Sequence, residues 1–228
     1  CSQGEDCLIE DNYPDDFFGH GTHVAGIAAA VTDNRIGVAG VCQRCKIMNV
    51  RAGFAAGNPP YGGGLEYDDI AQSLVYAADN KANIISMSFG GPDSQLMKAA
   101  IQYAYNKGSI LVASAGNLST GLNYWQSYPA FYKEVLSIAA TDESDLATDF
   151  TTFGSSIDIG APGSNVLSTV IPGVQWGCRE TISGCYGICS GTSMSAPLVS
   201  GVLGLIISKF PQATSDQRRA PEERDSNV

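Results

Sequence analysis

Two hydrophobic periods alternate along the chain. Residues 69–80 carry Ile70, Leu74, Ala77 and Ala78 at helical spacing, which places their side chains on one face. Residues 94–107 repeat the pattern, with Ser94 positioned as a cap and Gly108 as a stop. Residues 23–31 are apolar but small, which predicts a helix packed closely against a neighbour. Short apolar runs at residues 45–51, 84–87, 110–113 and 135–139 read as strands. A last apolar helix is predicted over residues 192–210, while strand signals weaken past Val166. Strand and helix in this alternation predict an α/β fold, a sandwich around a mostly parallel sheet. Active groups in such folds gather at the carboxyl ends of the strands. No repeat or linker divides residues 1–210, and residues 211–228 form a polar tail predicted to be disordered.

Composition narrows the classes. The 228 residues are 44% hydrophobic and 16% charged, which suits one domain with a substantial core. A net charge of -10 gives no electrostatic footprint for phosphate backbones, so nucleic acid is excluded as a partner. The best apolar run, residues 202–207, is far short of the roughly 20 residues that cross a bilayer, so no membrane span is expected. Cys1 and Cys7, Cys42 and Cys45, and Cys178, Cys185 and Cys189 form three clusters in loop-like contexts. Clustered cysteines predict disulfides and a secreted setting, and the odd count leaves one cysteine either unpaired or paired outside this sequence. The Cys42–Cys45 spacing also fits a redox pair or half a zinc site. No second such pair exists, and only His20 and His23 are there to complete a zinc set.

Three stretches carry candidate chemistry. In Gly19-His20-Gly21-Thr22-His23, a histidine at a loop-to-helix junction can present its imidazole to a cleft and shuttle protons near neutral pH. In Ala113-Ser114-Ala115-Gly116-Asn117, small residues after a strand admit a peptide backbone, and the Asn amide supplies a hydrogen-bond donor. In Ser190-Gly191-Thr192-Ser193-Met194-Ser195-Ala196-Pro197, a serine sits where the free N–H groups of a helix N-terminus stabilise developing negative charge. Singly, each has a plain structural reading: a packed histidine, a Gly-Asn turn, a helix cap.

Together they resemble the subtilisin-like proteases (subtilases). The His20-Gly-Thr-His-Val-Ala-Gly and Gly191-Thr-Ser-Met-Ser-Ala-Pro runs carry the resemblance, with Gly116-Asn117 between them. Residues 86–91, 128–130 and 160–163 match in register. The resemblance implies a three-layer, subtilisin-like sandwich lacking N-terminal strands and C-terminal elements. It implies a serine endopeptidase with Ser193 as nucleophile, His20 as general base and Asn117 as oxyanion donor beside the Ser193 amide. Polypeptide substrates would bind as an added strand between Ser88-Phe89-Gly90 and Gly63-Gly64-Leu65, with Ala115 and Gly116 in the wall of the specificity pocket. Glu66, Asp68 and Asp69 beside the second edge would favour basic substrate residues. No cofactor is implied for the chemistry. A structural calcium is implied at Val31, Asn34, Ile36 and Val38, an oxygen-only donor set, although Arg35 brings positive charge to the same loop. An inhibitory pro-segment is the further implied partner.

The chain departs from the family in one respect. The family's triad runs Asp, His, Ser, and no strand ending in Asp-Ser-Gly or Asp-Thr-Gly precedes His20. The aspartate is therefore expected upstream of residue 1, with Asp11, Asp15 and Asp16 as the local substitutes. Two other classes remain open: an inactive homologue that binds peptides or proteins in the same groove, and a carboxyl-serine peptidase of the sedolisin type. The His20-Gly-Thr-His23 run opposes the latter, which uses Glu in the base position.

Overall fold

The computed structural model describes residues 14–56, 62–119, 126–174, 177–178, 180–182 and 184–212. In chain order the elements are α1 (His20–Ala29), β1 (Gly53–Ala56), β2 (Gly62–Leu65), α2 (Tyr67–Asp79), β3 (Ile84–Met87), α3 (Gln95–Asn106), β4 (Ile110–Ser114) and β5 (Val135–Thr141). They continue with β6 (Ile159–Pro162), β7 (Val166–Thr169), β8 (Glu180–Ile182), β9 (Tyr186–Cys189) and α4 (Thr192–Lys209).

Strands β3-β4-β5-β6 form a parallel sheet in that order, with Ile84 opposite Ile110, Leu111 opposite Val135 and Ile138 opposite Ile159. A parallel sheet is covered on both faces, and this one is. On one side Ile70, Leu74, Met97 and Ile101 of α2 and α3 pack with Leu111 and Ala113. On the other, Ala196, Val199 and Leu203 of α4 pack with Ile110, Val112 and Ile138. The result is the three-layer sandwich. Helix α3 begins as expected, with the Ser94 hydroxyl accepting the Met97 amide at 3.4 Å.

Several expectations are corrected. Residues 45–51 form no strand; residues 43–50 are exposed, and among the described residues no neighbouring strand takes their ladder bonds. Two antiparallel units escaped the hydrophobic pattern: the β1–β2 pair and the three-stranded sheet β7-β9-β8. Their strands are three or four residues long and rich in Gly, Ser and Thr, too short for a period to register. Helix α4 is long and apolar enough to cross a membrane by length and composition, against the expectation that no segment is. Half of it is buried, which fits a core helix against the sheet. Cys42 pairs with Cys45 and Cys178 with Cys189, while Cys185 is a free, exposed thiol. Cys1, Cys7, Asp11 and residues 213–228 lie outside the described residues.

Candidate functional site

The turn Gly191-Thr192-Ser193 opens α4, and three strand ends hold it. From the end of β6, the Gly163 carbonyl accepts the Gly191 amide at 2.8 Å. From the end of β4, Asn117 Oδ1 accepts both the Thr192 amide and the Thr192 hydroxyl, each at 2.9 Å. The Thr192 hydroxyl accepts the Gly116 amide in turn, at 3.1 Å. From the end of β3, the Ser88 hydroxyl donates to the Ser193 carbonyl at 2.9 Å, and the Ser193 hydroxyl donates to the Ser88 carbonyl at 3.3 Å. Gly191 has φ 155, and a Cβ there would stand 3.1 Å from Asn117 Nδ2, so a larger residue would press on that amide. These contacts fix the amide's orientation. Its oxygen faces two donors on Thr192, so Nδ2 is the donor left beside the Gly191-Thr192-Ser193 turn.

His20 is the first residue of α1, after Gly19 in a left-handed conformation (φ 97). Asp16 caps the helix. Its Oδ1 accepts the amides of Gly19 (2.7 Å) and Phe18 (3.0 Å), and its Oδ2 accepts the Thr22 amide (2.8 Å) and hydroxyl (2.7 Å). Burial works to raise the Asp16 pKa, but these hydrogen bonds together hold it below the ordinary value. Both oxygens are thus committed to the helix terminus, a task different from that of a triad carboxylate. Burial, and then the charge of His23, push His20 down to about 4, with the Asp16 carboxylate opposing.

Helices α1 and α4 bring His20 and Ser193 to one end. Val24 and Ile27 pack with Met194 and Leu198, and a Cβ at Gly201 would stand 3.1 Å from the Ala28 carbonyl. Ala28 and Gly201 lie eight residues beyond His20 and Ser193 respectively, so the two helices run in the same sense with their first turns together. Strand β7 ties α1 from below: the Ser168 hydroxyl donates to the His23 carbonyl at 2.7 Å and the Thr169 hydroxyl to the Thr22 carbonyl at 2.8 Å. His23 itself is fully buried, with Nε2 3.1 Å from the Gly187 carbonyl, and it packs rather than facing a cleft. Its ring lies close to the sulfurs of Cys178 and Cys189, but these are bonded to each other and do not form a metal site in this state.

The chain belongs to the subtilase family. That family's sequence profile matches residues 4–224. Thermitase of Thermoactinomyces vulgaris is 38% identical over 93% of this chain and 69% of its own length. Subtilisin DY of Bacillus licheniformis is 35% identical over 95% of this chain and 73% of its own. Among solved structures, a protease from Pseudoalteromonas arctica superposes with a TM-score of 0.76 at 34% identity, covering 88% of this chain and 61% of that one. This subtilase is a subtilisin-like serine protease domain, and its fold is that of these relatives.

The remaining sequence candidates fall in three places. Ala115 and Gly116 follow β4 and Ser88-Phe89-Gly90 follow β3, all at the mouth formed by the strand ends. Gly63, Gly64 and Leu65 lie in β2, and a Cβ at Gly63 would meet the Phe18 ring at about 3.0 Å, which sets this strand beside the segment leading into His20. Val31, Asn34, Ile36 and Val38 sit in the loop after α1, where Asn34 Oδ1 accepts the Ile36 amide at 2.9 Å. Thr192 and Asp16 are the residues that motif reading undervalued. Thr192 lies inside the serine motif and reads as a cap. Asp16 reads as a spare carboxylate, although an Asp shortly before a helix start is a capping signal.

Proposed function

We propose that this subtilase hydrolyses peptide bonds through an acyl-enzyme, with Ser193, His20 and Asn117 as its working groups. The observation that carries the reading is the Thr192–Asn117 pair. With Oδ1 bound twice, Nδ2 is a preorganised donor beside the serine, and so is the Ser193 amide in the first turn of α4. A scissile carbonyl set against them would place its oxygen between two donors. Ser193 Oγ bonds to the carbonyl carbon while its proton passes to His20, and the oxyanion forms at the donor pair. The C–N bond then breaks as His20 returns that proton to the leaving amine. Water repeats the sequence, giving its proton to His20 and releasing the acid. The Ser193 hydroxyl, resting on the Ser88 carbonyl, turns to the imidazole for the first step. Asp16, with both oxygens occupied as a helix cap, is not the carboxylate that would orient His20 in this reading.

Substrate would lie as a strand between β2 and Ser88-Phe89-Gly90, over the wall formed by Ala115 and Gly116. A secreted location is supported by the Cys42–Cys45 and Cys178–Cys189 disulfides, and inhibition by a pro-segment in the same groove belongs to this reading. For calcium, the Val31, Ile36 and Val38 carbonyls and Asn34 are hard oxygen donors that fit the ion's chemistry. A bound ion there would brace the loop and take no part in the reaction. The test is incubation with an activated peptide ester, followed by mass spectrometry of the quenched protein. An acyl adduct on Ser193 is expected. Turnover without an adduct, or an adduct elsewhere, would reject the mechanism.

A further inference from the structure

Pro197 stands six residues into α4 and has no amide hydrogen. In a regular helix, residue 197 would donate to the carbonyl four positions earlier, which is that of Ser193. The serine's own carbonyl is therefore left out of the helical ladder. A buried or half-buried carbonyl without a partner is costly, and it would leave the first turn loosely held. The Ser88 hydroxyl fills the place, donating to that carbonyl at 2.9 Å across the strand–helix boundary.

We infer that Ser88 is a positioning residue for Ser193, replacing through its side chain the helical hydrogen bond that Pro197 removes. Ser88 also accepts the Ser193 hydroxyl on its carbonyl, so one residue holds both the backbone and the resting side chain of Ser193. The proline and the serine form a matched pair. The missing donor allows the first turn to be anchored to β3 rather than to the rest of α4, and the strand end that borders the substrate groove thereby sets the nucleophile's position. The inference rests on Ser193 being the nucleophile.

A double-mutant cycle on the complete enzyme tests it. Ser88→Ala is expected to lower kcat about tenfold with KM within about twofold, the effect of one lost hydrogen bond acting on position. Ser88→Thr, which keeps the hydroxyl, should restore most of the rate. In Pro197→Ala, residue 197 regains an N–H for the Ser193 carbonyl, so adding Ser88→Ala there should cost less than about threefold. Folding of each variant is followed by circular dichroism, and the rate of Ser193 labelling by a fluorophosphonate gives a second readout. An equal loss in both backgrounds, no loss in Ser88→Ala, or a change confined to KM would overturn the inference. If Ser88→Ala does not fold, the comparison passes to Ser88→Cys, a weaker donor, in the same two backgrounds. Failure of the unmutated enzyme to label at Ser193 would instead strike the nucleophile assignment itself.

Discussion

Thr192 gives both its amide and its hydroxyl hydrogen to one atom, Oδ1 of Asn117, at 2.9 Å each. The pair decides which way the amide points, and so which end of Asn117 would meet a substrate in the proposed reaction. Replacing Thr192 by Val removes the hydroxyl donor and the acceptor for the Gly116 amide. The expected result is a fall in kcat of about tenfold, roughly the worth of one hydrogen bond, with Thr192→Ser near the parent rate. Steady-state kinetics on a short peptide substrate check it, and a Thr192→Val enzyme at full rate would remove the orienting role.

Asn117→Ala deletes the donor itself. A loss of about 10²–10³ in kcat with KM little changed is expected, a magnitude carried over from subtilisin, a relative in which loss of such a donor has that cost. Asn117→Asp should be no better, because its carboxylate offers no hydrogen and would face the Thr192 donors and the oxyanion alike.

The sandwich and the candidate site rest on different signals in the sequence. Strands β3, β4 and β5 and the helices follow from apolar periods long enough to count, as in Ile70, Leu74 and Ala78 of α2, whereas β6, Ile-Gly-Ala-Pro and mostly exposed, carries no such period. His20, Asn117 and Ser193 follow from short motifs whose order matched a family. The hairpin of β1 and β2 and the sheet β7-β9-β8 could not be read, since strands such as Gly62–Leu65 are four residues of mostly glycine. The strand expected at residues 45–51 has a strand's sequence, with Ile47, Met48 and Val50, but these side chains are exposed and the segment has no partner among the described residues. A strand is defined by its neighbour, which local sequence does not contain. Asp16 illustrates the same limit at the site: its role depends on four donors brought round by the turn into α1.

Burial and the nearby His23 charge hold His20 at about 4, against the ordinary value of 6.5. The imidazole is thus neutral and able to accept a proton at neutral pH. Because its folded pKa lies below its unfolded value, the unfolded chain binds the proton more tightly. The stability contribution is therefore full above about pH 6.5 and declines as the pH falls toward about 4. Urea midpoints measured between pH 7 and pH 4 should fall less steeply in His20→Gln than in the parent. Parallel curves would contradict the depressed value.

Gly26 leaves no room for a side chain, since a Cβ would collide with the hydroxyls of Thr169 and Ser168. Those hydroxyls hold α1 through the Thr22 and His23 carbonyls. Gly26→Ala is expected to destabilise the protein by about 1–3 kcal/mol through overpacking and to lower kcat by shifting His20. Thermal melts with parallel kinetics test both, and an unchanged melt would mean that α1 and β7 can part freely.

If the loop after α1 holds calcium, chelation should lower the melting temperature and added Ca²⁺ should restore it, while Asn34→Ala should blunt the response. Equal melts with and without chelator in the parent would remove the ion from this loop.

The most direct test of the central claim is fluorophosphonate labelling at neutral pH, mapped by mass spectrometry, on the complete enzyme with Ser193→Ala as control. The account predicts a single adduct on Ser193, slowed strongly by Asn117→Ala and His20→Ala and abolished in the control. A folded enzyme that stays unlabelled, or one labelled equally well in Ser193→Ala, would contradict it and favour a groove that binds peptides without cutting them.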